Sequence, residues 1–333
     1  MKVSVAIPVL NEEKTVGELL GRLLQQTWTP YEIVLTDGGS QDRTREIIAD
    51  FTRRSRIVKL IEADHALPGR GRNLAAAETD SEWLAFIDAG TEPAKDWLEA
   101  LVSKAERDST IDVVYGMWEP VIDTLFAECA AIAYVPPPVA SDGVVARPRS
   151  IVSSLIRRRV WGSVGGFPED LRSAEDLLFM ERVQKAGFKT VFAPAAMVRW
   201  HLSPTLGATF KRFVVYARNN IRAGLWLRWQ AAIFSRYALL VGFALIFLAV
   251  NPKLIWIAIA LWMLMLGTRA LIAIHRNRNC YPASLLRNFT RVILLVPLIA
   301  TLDAALIVGS LQWLIFDSFR PQRKTAVEAG NGA

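Results

Sequence analysis

Cysteine and histidine are scarce in this 333-residue chain, with two of the first and three of the second. Two thiols, Cys129 and Cys280, can build neither a disulfide framework nor a cysteine metal site, so the fold rests on packing. No Walker-type glycine loop is present, and no Gly-x-Gly-x-x-Gly follows the first apolar run. That sets aside nucleoside-triphosphate hydrolysis and dinucleotide binding. His65, His201 and His275 lie near no nucleophile elbow, which argues against a Ser-His-Asp hydrolase. The segment Met1 to Asn11 lacks the charged start, apolar centre and small-residue cleavage site of a signal peptide. It reads as a strand, and the domain it opens is expected to stay in the cytosol.

Charge is almost missing from two long stretches. From Tyr237 to Leu266 the only charged side chain is Lys253, and from Val292 to Phe316 it is Asp303. Runs this long and apolar predict bilayer-spanning helices rather than buried core helices. Lys211, Arg212, Arg218, Arg222, Arg228 and Arg236 precede them, interleaved with Trp226 and Trp229. Basic residues with tryptophans beside a span predict an interfacial helix on the cytosolic face, and their place against the span argues against a nucleic-acid surface. Asn251-Pro252-Lys253 predicts a tight outer turn, with Arg236 and Arg269 snorkelling to the inner face. Three crossings are expected. They keep Arg276, Arg278, Arg287 and Arg291 inside but send Arg320, Arg323 and Lys324 outside. A kink at Asn251-Pro252 within one span, or a third segment that re-enters around Pro297 and Asp303, are the alternatives.

The first two-thirds alternates apolar strands with charged helices. Val3–Leu10, Glu32–Asp37, Ile57–Glu62 and Glu82–Asp88 read as strands. Helices are expected after Asn11, as N-cap, and over 42–51 and 72–78. This alternation predicts an α/β fold with a doubly wound, mostly parallel sheet, whose ligands bind at the carboxyl ends of the strands. The rule points to Pro8 to Glu12, Asp37 to Asp42 and Asp88 to Thr91. Between Glu119 and Arg149 regularity fails, and a loop-rich insertion or lid is expected. The expected divisions are a catalytic domain over 1–207, a basic interfacial linker over 208–236, transmembrane helices over 237–316 and a polar tail over 317–333.

Six motifs in register carry a resemblance. Ile7-Pro8-Val9-Leu10-Asn11-Glu12-Glu13 opens the series, followed by Asp37-Gly38-Gly39-Ser40-Gln41-Asp42, Gly69-Arg70-Gly71-Arg72-Asn73 and Phe86-Ile87-Asp88-Ala89-Gly90. Gly165-Gly166-Phe167 with Glu175-Asp176, then His201, complete it. Over about 2–203 the chain resembles the family 2 glycosyltransferases, which have the GT-A-type fold. The resemblance implies that Asp37 bonds the nucleotide base, with Pro8 and Glu12 lining the same pocket. Arg72 stands near the nucleotide and its diphosphate, and Asp88 at the ribose or metal. Asp176 matches the base of inverting members, and Glu175 is expected to share its work. His201 matches a histidine that reaches the metal or diphosphate. Gly90 stands where the second acid of Asp-x-Asp belongs, so Mg²⁺ or Mn²⁺ would rely on Asp88 and His201, or on Glu92, or give way to Arg72.

Local readings compete with these roles. Asp37 can be a turn acid, Asp42 is read as a helix cap, and Glu12 can be a first-turn helix acid. Asn73 is read as a local structural residue. Ser173-x-x-Asp176 is close to a capping box. What the resemblance implies as a whole is an inverting, hexosyltransferase-type enzyme. It would take a nucleotide-diphosphate-sugar donor and a membrane-associated lipid or polysaccharide acceptor. It is expected to be a multi-pass protein of the inner cell membrane with its catalytic domain cytoplasmic. The rivals are a polyprenyl-phosphate glycosyltransferase, a nucleotidyltransferase and a non-catalytic nucleotide-sugar-binding protein.

Overall fold

The computed structural model describes residues 1–141 and 144–318. The expected polar tail therefore lies outside the described residues from 319 on, with Arg320, Arg323 and Lys324. In chain order the first elements are β1 (Val3–Val9), α1 (Val16–Leu24), β2 (Glu32–Asp37), α2 (Thr44–Arg54), β3 (Val58–Glu62), α3 (Pro68–Glu78) and β4 (Trp83–Phe86). Next come β5 (Thr91–Pro93), α4 (Trp97–Glu106), β6 (Val113–Pro120), α5 (Leu125–Tyr134), β7 (Val139–Ser141) and β8 (Val144–Ala146). The domain closes with β9 (Ser154–Arg157), α6 (Arg158–Ser163), α7 (Glu175–Lys185) and β10 (Thr190–Trp200).

Eight strands form one sheet in the order β3-β2-β1-β4-β9-β6-β10-β5. Strand β9 runs against both β4 and β6, and β5 runs against β10; the remaining pairs are parallel. The mostly parallel, doubly wound sheet is therefore present. Alternation along β1 explains its two faces. Val3, Val5, Ile7 and Val9 pack with Val16, Leu19, Leu20 and Leu23 of α1, whereas Ala6 packs with Val34, Phe86, Ala75 and Phe179 on the other side.

Several expectations are corrected. Asn11 is not the cap of α1, which starts at Val16 behind Thr15. Asn11 instead takes a left-handed backbone with φ 56, and its Oδ1 accepts from the Gln41 N–H at 2.8 Å, tying the loops after β1 and β2 together. Helix α3 starts at Pro68, so Arg72 lies a full turn inside it. The segment 119–149 is not a loose lid. It contains α5, whose Cys129, Ala130, Ala131 and Ile132 are buried among residues of the C-terminal helices, while the Arg147 guanidinium pairs with Glu119 at 2.5 Å. The turn expected at Asp142-Gly143 lies outside the described residues.

The C-terminal third is helical: α8 (Leu206–Arg222), α9 (Trp226–Trp229), α10 (Ala231–Val250), α11 (Ile255–Arg276) and α12 (Leu285–Phe316). Asn251 breaks the chain between α10 and α11, its Oδ1 accepting from the Lys253 N–H at 3.0 Å, so two helices and a tight turn replace any single kinked span. Helix α12 is continuous over 32 residues with Pro297 inside it. Helices α10, α11 and α12 are each long and apolar enough to cross a membrane. Leu239, Leu245, Ile246, Trp256 and Leu264 are exposed there, as lipid-facing residues would be. Arg269 does not snorkel: its Nη2 donates to buried Asp303 at 2.9 Å, joined by the Tyr237 hydroxyl at 3.0 Å.

Candidate active site

The carboxyl ends of β1, β2 and β4 converge where the sheet order turns back on itself. Strand β1 pairs with β2 so that Val9 faces Asp37, and with β4 so that Ala6 faces Phe86. Residues following those strands therefore meet at one edge. Gly69 brings α3 to the same place: a Cβ there would collide with the Pro168 carbonyl oxygen. Only glycine lets the start of α3 touch the loop after Gly165-Gly166-Phe167. Asn73 fastens this contact, its Nδ2 donating to the Phe167 carbonyl at 2.9 Å and its Oδ1 accepting from the Phe167 N–H at 2.9 Å. Its structural role is thereby visible.

Arg72 is the centre of the site. Its side chain is 4% exposed, and its two Nη groups donate to Asp88 Oδ1 at 2.6 Å and Glu175 Oε1 at 2.7 Å. Burial opposes its charge, but Asp88 and Glu175 outweigh that and raise its pKa. Both Nη groups are thus engaged by carboxylates, which leaves Nε as the donor of Arg72 without a partner among the described residues. Arg72 Nε, Glu175 Oε2 and Ser173 Oγ are buried and unpartnered among the described residues. Unsatisfied polar atoms gathered at the ligand edge of an α/β sheet are unusual and mark a site that another molecule completes.

The two acids at the start of α7 behave differently. Glu175 is buried against Arg72. Asp176 is half-buried with no ion pair among the described residues. Its carboxyl is pushed up to about 6, chiefly by burial, then by the neighbouring Glu175, with Arg72 opposing. The capping box expected from Ser173 and Asp176 does not form, because Ser173 Oγ has no partner and Asp176 accepts from the Leu177 N–H at 2.8 Å. Ala174, immediately before these acids, holds a left-handed φ of 71. Such a backbone in a non-glycine residue costs about 1–2 kcal/mol and persists where its surroundings impose it.

Asp37 is fully buried at the end of β2. Burial alone would raise its carboxyl, but bonds from Ser40, Arg45 and the Gly39 amide hold it below the ordinary range. Arg45 Nε sits 2.5 Å from it and also reaches Asp64. The turn-acid reading thus describes its local geometry, and sequence reasoning missed Arg45 altogether. Asp42 is not the cap of α2, which starts at Thr44 behind Arg43; its Oδ1 accepts from the Thr44 N–H at 3.0 Å in a turn that leads into the helix. Pro8 is the next-to-last residue of β1, and Glu12 accepts from Thr15 Oγ1 at 2.6 Å. Burial raises the Glu12 carboxyl above its usual range, against that bond.

Helix α8 closes the site from the side. Arg212 lies 5.7 Å over the Trp200 ring, and its buried Nη1 has no hydrogen-bond partner among the described residues. Tyr216, one turn on, is raised by burial and feels Arg212, Asp176, Asp88 and Glu175. Arg212 was grouped by sequence with the cations facing the membrane; the fold lays it over the Trp200 ring, near enough for Glu12 to feel its charge.

Two of the candidate metal residues meet each other, while Asp88 is held by Arg72. His201 Nε2 pairs with Glu92 Oε1 at 2.6 Å, and Glu92 also meets Arg22. Gly90, with φ 77, has no side-chain carboxylate to offer; a Cβ there would lie 3.2 Å from Glu12 Oε2. The Glu12 carboxylate thus occupies the space beside the missing second acid. Among the described residues no three His, Cys, Asp or Glu side chains cluster so as to hold a metal ion. These residues do not fit a divalent ion unaided.

A family model described as glycosyl transferase family 2 matches residues 4–161, and one described as glycosyl transferase family group 2 matches 148–307. Glycosyltransferase AglE of Haloferax volcanii is 28% identical over 255 residues, which cover 72% of this chain and 81% of that protein. The poly(ribitol-phosphate) beta-N-acetylglucosaminyltransferase TarS of Staphylococcus aureus is 28% identical over 192 residues, 54% of this chain but only 32% of TarS. The mannosyltransferase PcManGT of Pyrobaculum calidifontis, solved with GDP-Man and Mn²⁺, superposes with a TM-score of 0.53 at 20% identity. That superposition covers 94% of this chain and 87% of the other, a likeness of GT-A fold.

Proposed function

The chain belongs to the family 2 glycosyltransferases, and we propose that it transfers a hexosyl residue, with inversion, from a nucleotide-diphosphate sugar to a membrane-associated acceptor. The observation that carries this reading is the Arg72 bridge, which draws Asp88 at the end of β4 and Glu175 at the start of α7 into one cluster beside Asp176. Asp88 belongs to the donor edge and Asp176 to the acceptor side, and a transfer site needs both within reach of one anomeric carbon.

Asp176 is the base in this reading. It takes the proton from the acceptor hydroxyl as that oxygen bonds to the anomeric carbon, while the bond from that carbon to the diphosphate oxygen breaks and the nucleoside diphosphate departs. A carboxyl raised to about 6 suits the work, being ionised at neutral pH yet more basic than an ordinary aspartate. Glu175 holds Arg72, and Arg72 in turn positions Asp88. The nucleotide lies along Pro8, Glu12 and the Asp37 turn, with Arg45 bracing the turn from behind. The unpartnered Arg212 nitrogen supplies the cation that meets the diphosphate. A divalent ion, Mg²⁺ or Mn²⁺, would arrive with the donor rather than wait in the chain, and none of these steps is routed through it.

The acceptor is lipid-linked or otherwise held at the membrane. Helix α8 brings Arg212 and Tyr216 to the site and leads into the apolar helices, so the site stands beside lipid. The catalytic domain lies on the cytoplasmic side of the inner cell membrane, where exposed Lys211 of α8 and Trp226, Arg228 and Trp229 of α9 meet the headgroups. Calorimetric titration of the detergent-solubilised protein with UDP- and GDP-sugars, with and without Mn²⁺, tests the donor assignment. Binding of at least one donor, weakened in Arg212→Gln, is expected; no binding of any donor under either condition overturns it.

A further inference from the structure

Three helices are long enough to cross a bilayer, but the contacts of α12 are those of a helix that does not. Near its start, Arg287 and Arg291 both pair with Glu128 of α5. Glu128 is 4% exposed in its side chain, so this is a buried joint. At its other end Asp317 takes both arms of Arg218 on α8, at 2.6 and 3.0 Å. Arg291 and Asp317 are about 39 Å apart along a helix rising 1.5 Å per residue, whereas a bilayer's apolar core is about 30 Å thick.

Both partners belong to the catalytic side. Helix α5 is part of the domain, and α8 is fastened to it from its middle to its C-terminal end. Phe213 packs on Tyr134 with ring centroids 4.9 Å apart, Asn219 Oδ1 accepts from the Arg172 N–H at 3.1 Å, and Arg222 reaches Asp170 at 3.5 Å. Between its ends α12 stays buried, in part against α5 and α8 and in part against α11, whose Arg269 meets Asp303. Its buried residues run from Arg291 through Leu295, Leu298 and Leu302 to Gly309. A Cβ at Gly309 would collide with the Val214 carbonyl oxygen and lie 2.7 Å from Ala217 Cβ, so α8 and α12 touch backbone to backbone. A helix tied to one domain at both ends cannot have those ends on opposite sides of a bilayer.

We infer that α12 lies in the plane of the membrane against the catalytic domain, and that only the α10–α11 hairpin crosses. The lipid surface is the partner of its outer face, where Phe289, Ile293, Leu311, Leu314 and Ile315 are exposed. A free interfacial helix needs a polar inner face; here protein covers that face, so an almost wholly apolar sequence can lie flat. The hairpin leaves and returns: Gln230, before α10, donates to the Ala217 carbonyl at 2.8 Å, and Asn277, after α11, to the Ile132 carbonyl at 3.4 Å. Two crossings put the end of α12 on the catalytic side. The in-plane helix sets α8, and with it Arg212 and Tyr216, at the depth of the headgroups.

This inference rests on the apolar helices being embedded in a membrane, and its test separates the two. In a Cys280→Ser chain, single cysteines are placed at exposed Ser109, at Lys253 in the hairpin turn, and after Ala333. Inside-out and right-side-out vesicles are then treated with an impermeant maleimide. The cysteines at Ser109 and after Ala333 label in the same vesicle orientation, and Lys253→Cys only in the other. Labelling after Ala333 from the side opposite Ser109→Cys overturns the in-plane helix. Labelling of Lys253→Cys from the Ser109 side overturns the crossing hairpin. Recovery of the chain in the soluble fraction overturns the embedding itself.

Discussion

Replacing Arg72 with methionine removes the link between the two halves of the site while keeping most of its volume. Arg72 is 4% exposed and Glu175 5%, so the variant leaves a buried carboxylate facing no cation. Breaking a buried pair by removing one partner costs about 3–5 kcal/mol. The bond to Asp88, whose side chain is 42% exposed, adds about 1 kcal/mol or less. For a domain of this size that loss lowers the melting temperature by something on the order of 10 °C. Thermal unfolding of the solubilised protein, followed by intrinsic fluorescence, measures it. A second substitution makes the reasoning specific. Glu175→Gln added to Arg72→Met removes the stranded charge, so the double variant recovers much of the stability. Turnover stays low in both, because Asp88 has lost its brace. An Arg72→Met protein that melts within 1 °C of the parent, or a double variant no more stable than the single, would refute this account of the bridge.

Asp176→Asn should lower transfer to a hydroxyl acceptor roughly 100- to 10,000-fold while leaving donor affinity in place. In the parent protein the base works ionised, so the rate should fall as pH drops through about 6, roughly tenfold per pH unit. A flat profile from pH 7.5 to about 5 would count against this role. Gly309→Leu forces α8 and α12 apart and should cost about 1–3 kcal/mol, with a loss of activity that Gly309→Ala shows more weakly; unchanged melting would contradict the backbone contact. Mn²⁺ titrated into the donor-free protein should give no calorimetric signal, since no three ligands are assembled, and a signal should appear once a nucleoside diphosphate is present.

Much of the fold was legible because burial on both faces writes itself into the strands. Val3, Val5, Ile7 and Val9 declare β1, and the acids and glycines after each strand declare the ligand edge. Helix α5 was not legible. Its Ala-rich sequence has no polar face to mark it as amphipathic, because helices distant in sequence cover it, and the following prolines suggested a loop. Arg212 was misplaced for a related reason. A cation beside an apolar run looks like membrane-facing charge, and only the angle of α8 over the site turns it inward. Arg45 beside Asp37 was missed, and although Arg72, Asp88 and Glu175 were all named, their pairing was not, since it runs through tertiary contacts that no spacing encodes.

The central claim is sugar transfer to a membrane-held acceptor, and one measurement reaches it directly. The protein is reconstituted with lipid extract and incubated with UDP- and GDP-sugars. Nucleoside diphosphate release is followed while the lipids are read by mass spectrometry. The expected result is a lipid-linked species heavier by one sugar residue, formed in step with nucleoside diphosphate and absent with Asp176→Asn. Folded, donor-binding protein that releases no diphosphate and adds no sugar to any component would contradict it.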